Sequence, residues 1–491
     1  MAADARSTGG PPARGDLTQG RIGSTLLKFA LPTLASSILQ SLNGTINAIW
    51  VGRFLGENAL AATSNANMVM FLLTAFVFGF GMASTILIGQ AWGRKDVDGA
   101  RQIFGTAGGS FLLVTILIAI AGYSLSGSIL SLLGTPGDAA PLAHAYLQVI
   151  FLAMPALLLL TLLMMALRGA GDSMTPLWFM IVAVLLDSGL NPLFILGLGP
   201  APRLGIAGSA TATLIANYSA LLGLIGYIYL KDLPLRLRGR ELRYLWCNFS
   251  ILKTIVAKGF PMGLQMIVIS VSALALIGLV NKEGVDTTAA FGVALQLWTY
   301  VQMPALALGA AVSAMAAQNI GAGKWDRVSS ITRVGVLQTL AITGTLIVAL
   351  TLADRTVLAL FMGGDSPALP IARHIHLVAT WNFMLFGVMM VLFGTVRANG
   401  AVWVPMIVLA IGLIPVRFGY IFATYHWLGA NAIWTSFPVT SMINLALAAG
   451  FYLHGGWRKA RMTVETRPDD DECTEEALAT REPGGALNPA G

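Results

Sequence analysis

Charge is the scarcest thing in this chain. Asp, Glu, Lys and Arg together make up 11% of its 491 residues, where a soluble domain carries about a quarter. Hydrophobic residues make up 56%, so a soluble fold is excluded and the chain reads as a polytopic helical membrane protein, with room for roughly twelve spans of about 20–25 residues. Cysteine is nearly missing: Cys247 and Cys473 stand outside the apolar runs without paired spacing, which excludes a disulfide framework and a cysteine metal motif. Missing too are GxxxxGK[ST], HExxH and GxSxG, and with them the chemistry of an ATPase, a metalloprotease or a serine hydrolase. An intramembrane enzyme needs a nucleophile and base at depth; no such pair stands here, and no cofactor is implied. The net charge of +7 reads as membrane orientation rather than nucleic-acid binding.

Apolar runs punctuated by charge or Gly/Pro predict twelve spans, at 25–52, 59–88, 103–133, 142–167, 175–198, 204–230, 255–280, 287–318, 331–361, 374–396, 401–425 and 429–454. The third and ninth are long enough to include an amphipathic interfacial piece. Residues 1–24 and 458–491 read as disordered cytoplasmic ends, 25–230 as a first lobe, 231–254 as a basic cytoplasmic linker and 255–457 as a second lobe. With the N-terminus inside, the cytoplasmic segments hold 24 Lys and Arg, the outer ones 5, and Arg417 stands within the eleventh span. That asymmetry places both ends in the cytoplasm.

The chain repeats itself. Pro32, Arg168, Gly171 and Pro176 recur 229 residues later as Pro261, Arg397, Gly400 and Pro405; Gly81, Gln90, Gly93 and Asp98 recur 228 later as Gly309, Gln318, Gly321 and Asp326. Six spans is an even number, so both halves enter from the same side, giving two six-helix lobes related by a parallel pseudo-twofold axis along the membrane normal. Two such lobes imply a cleft and alternating access.

Within the fifth span lies Asp187, with Asn191 one helical turn on and Pro192 next. An acid at membrane depth is costly and marks function; here it is expected to exchange a proton during transport, with Pro192 as a hinge.

The stretches at 29–56, 289–328 and 166–178 (ALRGAGDSMTPLW) resemble the multidrug and toxic compound extrusion (MATE) transporters over about residues 22–457. The AQNIGAGK segment and the lack of acids in spans 7 and 10 look most like the DinF-like branch. The resemblance implies a secondary active exporter of lipophilic organic cations driven by inward H+ or Na+, in a bacterial inner membrane, with membrane lipids around it, and we expect a monomer. It also implies an ion-coupling pocket in the first lobe. In that branch an acid lies near the end of helix 1, an Asn-x-x-x-Asp-Pro run in helix 5 and a Thr in helix 6. Here the helix 1 position is Asn47, preceded one turn earlier by Asn43; in helix 5 the order is exchanged, Asp187 then Asn191; the helix 6 residue is Thr213. One acid remains where two are common, which favours H+ over Na+ as coupling ion.

Spans 7, 8 and 10 border the cleft in related transporters, which makes Gln265, Gln296, Trp298, Tyr300, Gln302, Trp381 and Asn382 candidate substrate contacts. Arg417 either snorkels to the outer interface or serves substrate or lobe pairing. His374 and His376 are expected in a solvated loop, and Asp354 with Arg355 as an interfacial pair. Two related functions stay open: export of anionic metabolites, with Arg417 as the cleft charge, and flipping of lipid-linked saccharides.

Overall fold

The computed structural model describes residues 15–132, 140–198, 202–246, 248–363, 365–460 and 462. Cys247 and Cys473 lie outside them. The first lobe comprises α1 (Ile22–Leu55), α2 (Glu57–Gly93), α3 (Val97–Leu132), α4 (Ala140–Gly169), α5 (Met174–Leu196) and α6 (Ile206–Leu230). The second comprises α7 (Phe249–Val280), α8 (Val285–Gly321), α9 (Trp325–Leu352), α10 (Asp354–Met362), α11 (Leu369–Ala379), α12 (Asn382–Ala398), α13 (Trp403–Ile411), α14 (Arg417–Leu428) and α15 (Asn431–His454). Among the described residues there is no strand. Among the described residues eleven helices are long and apolar enough to span a membrane, twelve when the bent pair α11 and α12 is one span.

The spans end where side chains or glycines take over the free backbone groups. Asp172 accepts the N–H groups of Met174 and Thr175 at the start of α5, and Asn248 accepts those of Ser250 and Ile251 at the start of α7. Gly205, which caps the start of α6, and Gly429, which closes α14 just before α15, have nearly the same left-handed-side backbone, φ 60° and 55°, a conformation costly for any residue with a Cβ.

Three spans differ from the expected continuous runs. The ninth breaks at Ala353 into α9 and the short α10, because Asp354 turns its carboxylate onto the Arg355 N–H and onto Arg373, in competition with the helical ladder. Its ionic partner is therefore Arg373 at 2.8 Å, correcting the expected pair with Arg355. The tenth span bends by 41° between α11 and α12. It starts at Leu369, so His374 and His376 sit on a helix rather than in a solvated loop; His376 is buried, its Nδ1 2.8 Å from the Thr380 hydroxyl. The eleventh span contains a π turn, Gly412–Val416, at Pro415. Proline lacks the N–H that an α turn needs, and a π turn absorbs the resulting extra residue.

The lobes meet at the end where the sequence places its basic loops. Here the repeat becomes a pair of matching bonds: Gln90 of α2 donates to the Ala398 carbonyl (2.6 Å), and Gln318 of α8 donates to the Gly169 carbonyl (3.1 Å). A Cβ on Gly93 would overlap the Gln318 carbonyl, and one on Gly321 that of Gln90, so glycine is what lets α2 and α8 approach. Residues 15–20, expected to be disordered, are held across this seam. Leu17 is buried, its N–H donates to Gln318 Oε1 (2.9 Å), and Arg327 grips the carbonyls of Gln19 and Gly20. At the other end of the chain Trp457 is buried and Asn399 donates to its carbonyl. Among the described residues, the side-chain hydrogen bonds joining the two lobes all fall at this end.

Candidate functional site: a buried carboxylate among neutral donors

Asp187 is 1% exposed, and its position follows from three helices. The i, i+4 pairs Asn43/Asn47 on α1 and Asp187/Asn191 on α5 each form one face, and α6 contributes Thr213. Oδ2 of Asp187 accepts from Nδ2 of Asn43 (2.7 Å) and of Asn47 (2.8 Å). Oδ1 accepts from the Thr213 hydroxyl (3.0 Å) and from Asn191 Nδ2 (3.2 Å). Asn191 also donates to Asn47 Oδ1 (2.9 Å) and to the Asp187 carbonyl (2.9 Å). All four expected residues of the pocket, Asp187, Asn47, Asn191 and Thr213, thus come together. Pro192 follows Asn191 within α5, where its missing N–H leaves the Ser188 carbonyl without its helical donor.

Three further residues belong to the site. Asn43 is a direct partner, Asn217 supports Thr213 by donating to its carbonyl (2.8 Å), and Tyr146 is buried on α4 within electrostatic range of Asp187. The one-turn spacings Asn43/Asn47 and Thr213/Asn217 are readable signals for the first two; a single Tyr in an apolar run gives none.

Among the described residues no basic side chain pairs with Asp187. The carboxylate is held by neutral N–H and O–H donors alone, while two amide oxygens beside it, Asn43 Oδ1 and Asn191 Oδ1, are buried without partners. Such unsatisfied acceptors are costly unless something else bonds them. They can accept a proton carried by the carboxyl, or turn to ligate a small cation.

The residues proposed for the cleft do not form one surface. Gln265 is buried and accepts from Arg397 (2.6 Å); Asn382 is buried and bonds Ser441. Trp298 is buried in a ring cluster with Phe291, Phe383 and Phe437, and its indole N–H donates to Thr380 (2.8 Å). These three pack inside the second lobe. Gln296 and Trp381 are exposed, Tyr300 and Gln302 half-buried. Arg417 is 8% exposed, with its guanidinium 4.7 Å above the Phe437 ring.

The MatE family model matches residues 32–193 and again 261–422. Both ends of the second match, 261 and 422, stand 229 residues beyond those of the first, 32 and 193, the offset of the internal repeat. This chain belongs to the MatE family. The MatE chain is 36% identical over 437 residues to the probable multidrug resistance protein YoeA of Bacillus subtilis, covering 89% of this chain and 94% of that one. It is 30% identical over 451 residues to the probable multidrug resistance protein YpnP of the same organism, covering 92% and 99%. A multidrug resistance MATE family transporter solved in an outward-facing conformation superposes with a TM-score of 0.83 at 20% identity, over 91% and 99% of the two chains. The family consists of membrane transporters rather than enzymes, and the two-lobed helical fold of this chain is theirs.

Proposed function

We propose that this MatE protein is a proton-driven exporter of lipophilic organic cations, working as a monomer in a bacterial inner membrane with both termini in the cytoplasm. The multidrug names of its relatives support the drug-export class. The observation that carries the coupling is the Asp187 carboxylate, buried with no cation beside it and surrounded by turnable amides. Protonation removes the buried charge, so the two protonation states favour different arrangements of α1, α5 and α6 around Pro192.

A proton suits this donor set better than Na+. A hard metal cation wants several oxygen ligands aimed at it, whereas the site has one carboxylate and aims amide N–H groups at it. A proton needs one of the free amide oxygens. The side-chain bonds between the lobes gather at the basic end, which suits a cleft that opens away from the cytoplasm, as an exporter releasing its cargo needs. Imposed gradients in proteoliposomes test this: a pH gradient should drive uptake of tetraphenylphosphonium and a Na+ gradient should not. Uptake driven by Na+ alone would reverse the assignment.

A further inference from the structure

The second lobe carries a charge of the opposite sign at the place that Asp187 holds in the first. The repeat offset is 229 at Pro176 and Pro405, before the π turn. A π turn adds one residue; counted across it, Gly189 falls on Gly419 and Asp187 on Arg417, one residue off the 229 at which the family match ends at 193 and 422. The partners follow. Offset 229 pairs Asn43 of α1 with Ser272 of α7. The matching glycines Gly205 and Gly429 set an offset of 224 between α6 and α15, which pairs Thr213 with Phe437. Where Asp187 accepts from Thr213, Arg417 lies over the Phe437 ring.

The donors that satisfy Asp187 have no acidic or carbonyl counterparts around Arg417. Asn47 becomes Leu276 at offset 229, and Ser272 spends its hydroxyl on the Leu413 carbonyl of the π turn (2.8 Å). Among the described residues the Arg417 side chain has no hydrogen bond and no acid; its Nε is buried without a partner, and the guanidinium faces an aromatic ring instead. An unpaired guanidinium at this depth is expensive in a membrane lobe, and its planar fork matches carboxylate and phosphate oxygens. The side-chain bonds that tie α7 and the turn after it to the eleventh span stand at two separated points, Ser272 of α7 to Leu413 and Tyr425 to Glu283 of the turn. Arg417 lies between them in the chain, on α14, which packs on α15 whereas α13 and the π turn carry the contact with α7.

We propose that Arg417 is the second lobe's binding site for an anionic oxygen group, a carboxylate or phosphate, carried by an amphiphile whose apolar body rests on the Phe437 side. The anion comes either from the exported compound or from a lipid headgroup. For its meaning in transport the site rests on the exporter reading above, and it adds to the lipophilic cations those amphiphiles that bear such a group beside a positive one. Its existence as a binding site is tested without transport.

The test is equilibrium binding of radiolabelled phenyl phosphate and benzoate to the purified full chain, in neutral detergent and in phosphatidylcholine nanodiscs with or without phosphatidylglycerol. Saturable binding is expected, weakened about thirtyfold or more in Arg417→Gln and less in Arg417→Lys, which keeps the charge but loses the fork. Displacement of phenyl phosphate by phosphatidylglycerol identifies the lipid as the source, and its absence identifies the solute. If Arg417→Gln does not fold, the loss in Arg417→Lys decides. No saturable binding in either setting, or equal binding by wild type and the variants, overturns the proposal. Because no gradient is imposed, that failure is distinct from a failure of proton coupling, which leaves this binding unchanged.

Discussion

Replacing Asp187 by asparagine fixes the site in the shape of its protonated form and separates coupling from folding. The carboxylate accepts four bonds, from Asn43, Asn47, Asn191 and Thr213. An asparagine oxygen in the place of Oδ2 keeps the first two. Its amide nitrogen then meets Thr213, whose hydroxyl can rotate, and Asn191, whose free Oδ1 can turn to accept. The variant exchanges charge-assisted bonds of about 1.5–3 kcal/mol each for neutral ones of about 0.5–1.5, while removing the cost of a buried charge. These oppose one another, so stability should change by no more than about 2 kcal/mol. Asp187→Leu leaves amide N–H groups unbonded at about 1–3 kcal/mol each and should be the less stable variant. The functional effect is far larger than the structural one. One proton per turnover links about 1.4 kcal/mol, or tenfold accumulation, to each unit of imposed pH difference. Asp187→Asn proteoliposomes should retain exchange of labelled for unlabelled tetraphenylphosphonium yet lose the accumulation driven by a pH gradient. If the variant accumulates substrate as wild type does, the carboxylate is a packing group and the reasoning from its isolation fails.

The seam between the lobes should be weakened by Gln90→Ala with Gln318→Ala. Losing the bonds to Ala398 and Gly169, with those that tie Gln318 to Gly15 and Leu17, at about 1 kcal/mol each, shifts the equilibrium between arrangements by about thirtyfold or more, measurable as a longer distance distribution between spin labels at Lys95 and Asp326; an unchanged distribution would show that the bonds are incidental. At Asp354, burial pushes the carboxyl up, but the bonds from Arg373 and the Arg355 N–H outweigh it and hold the group below the usual carboxylate range. The stabilisation is therefore full above the unfolded value of about 3.9 and is lost as pH falls through the lower folded value; with Arg373 partly in solvent, Asp354→Asn should cost about 1 kcal/mol or less at pH 7 and flatten the acid limb of a thermal-melting profile. Finally, a membrane-impermeant thiol reagent should label neither Cys247 nor Cys473 in intact cells, and rapid labelling of either would overturn the cytoplasmic placement of both.

Composition alone decides that this chain spans a membrane many times, because the cost of charge in hydrocarbon leaves no other home for such a sequence. The repeat of Gln, Arg, Pro and Gly at offsets of 228 and 229 decides that it has two related lobes, and the acid at 187 with its amide one turn away marks the site, since side chains at that spacing share a helix face. Contacts made across helices were beyond reach of that reading. Nothing local shows that Asn43 on α1 and Thr213 on α6 converge on one carboxylate, or that Trp298 turns inward to Thr380 while Trp381 faces out. The breaks at Asp354 and Thr380 and the π turn at Pro415 also escape it, because apolar runs report length and not axis, and a polar group inside one bends the span only once a partner such as Arg373 or Trp298 is placed beside it. For the same reason the meaning of Arg417 waited on the fold: its pairing with Asp187 depends on one residue inserted by the π turn, and its isolation depends on which neighbours the packing of α7, α14 and α15 did not supply.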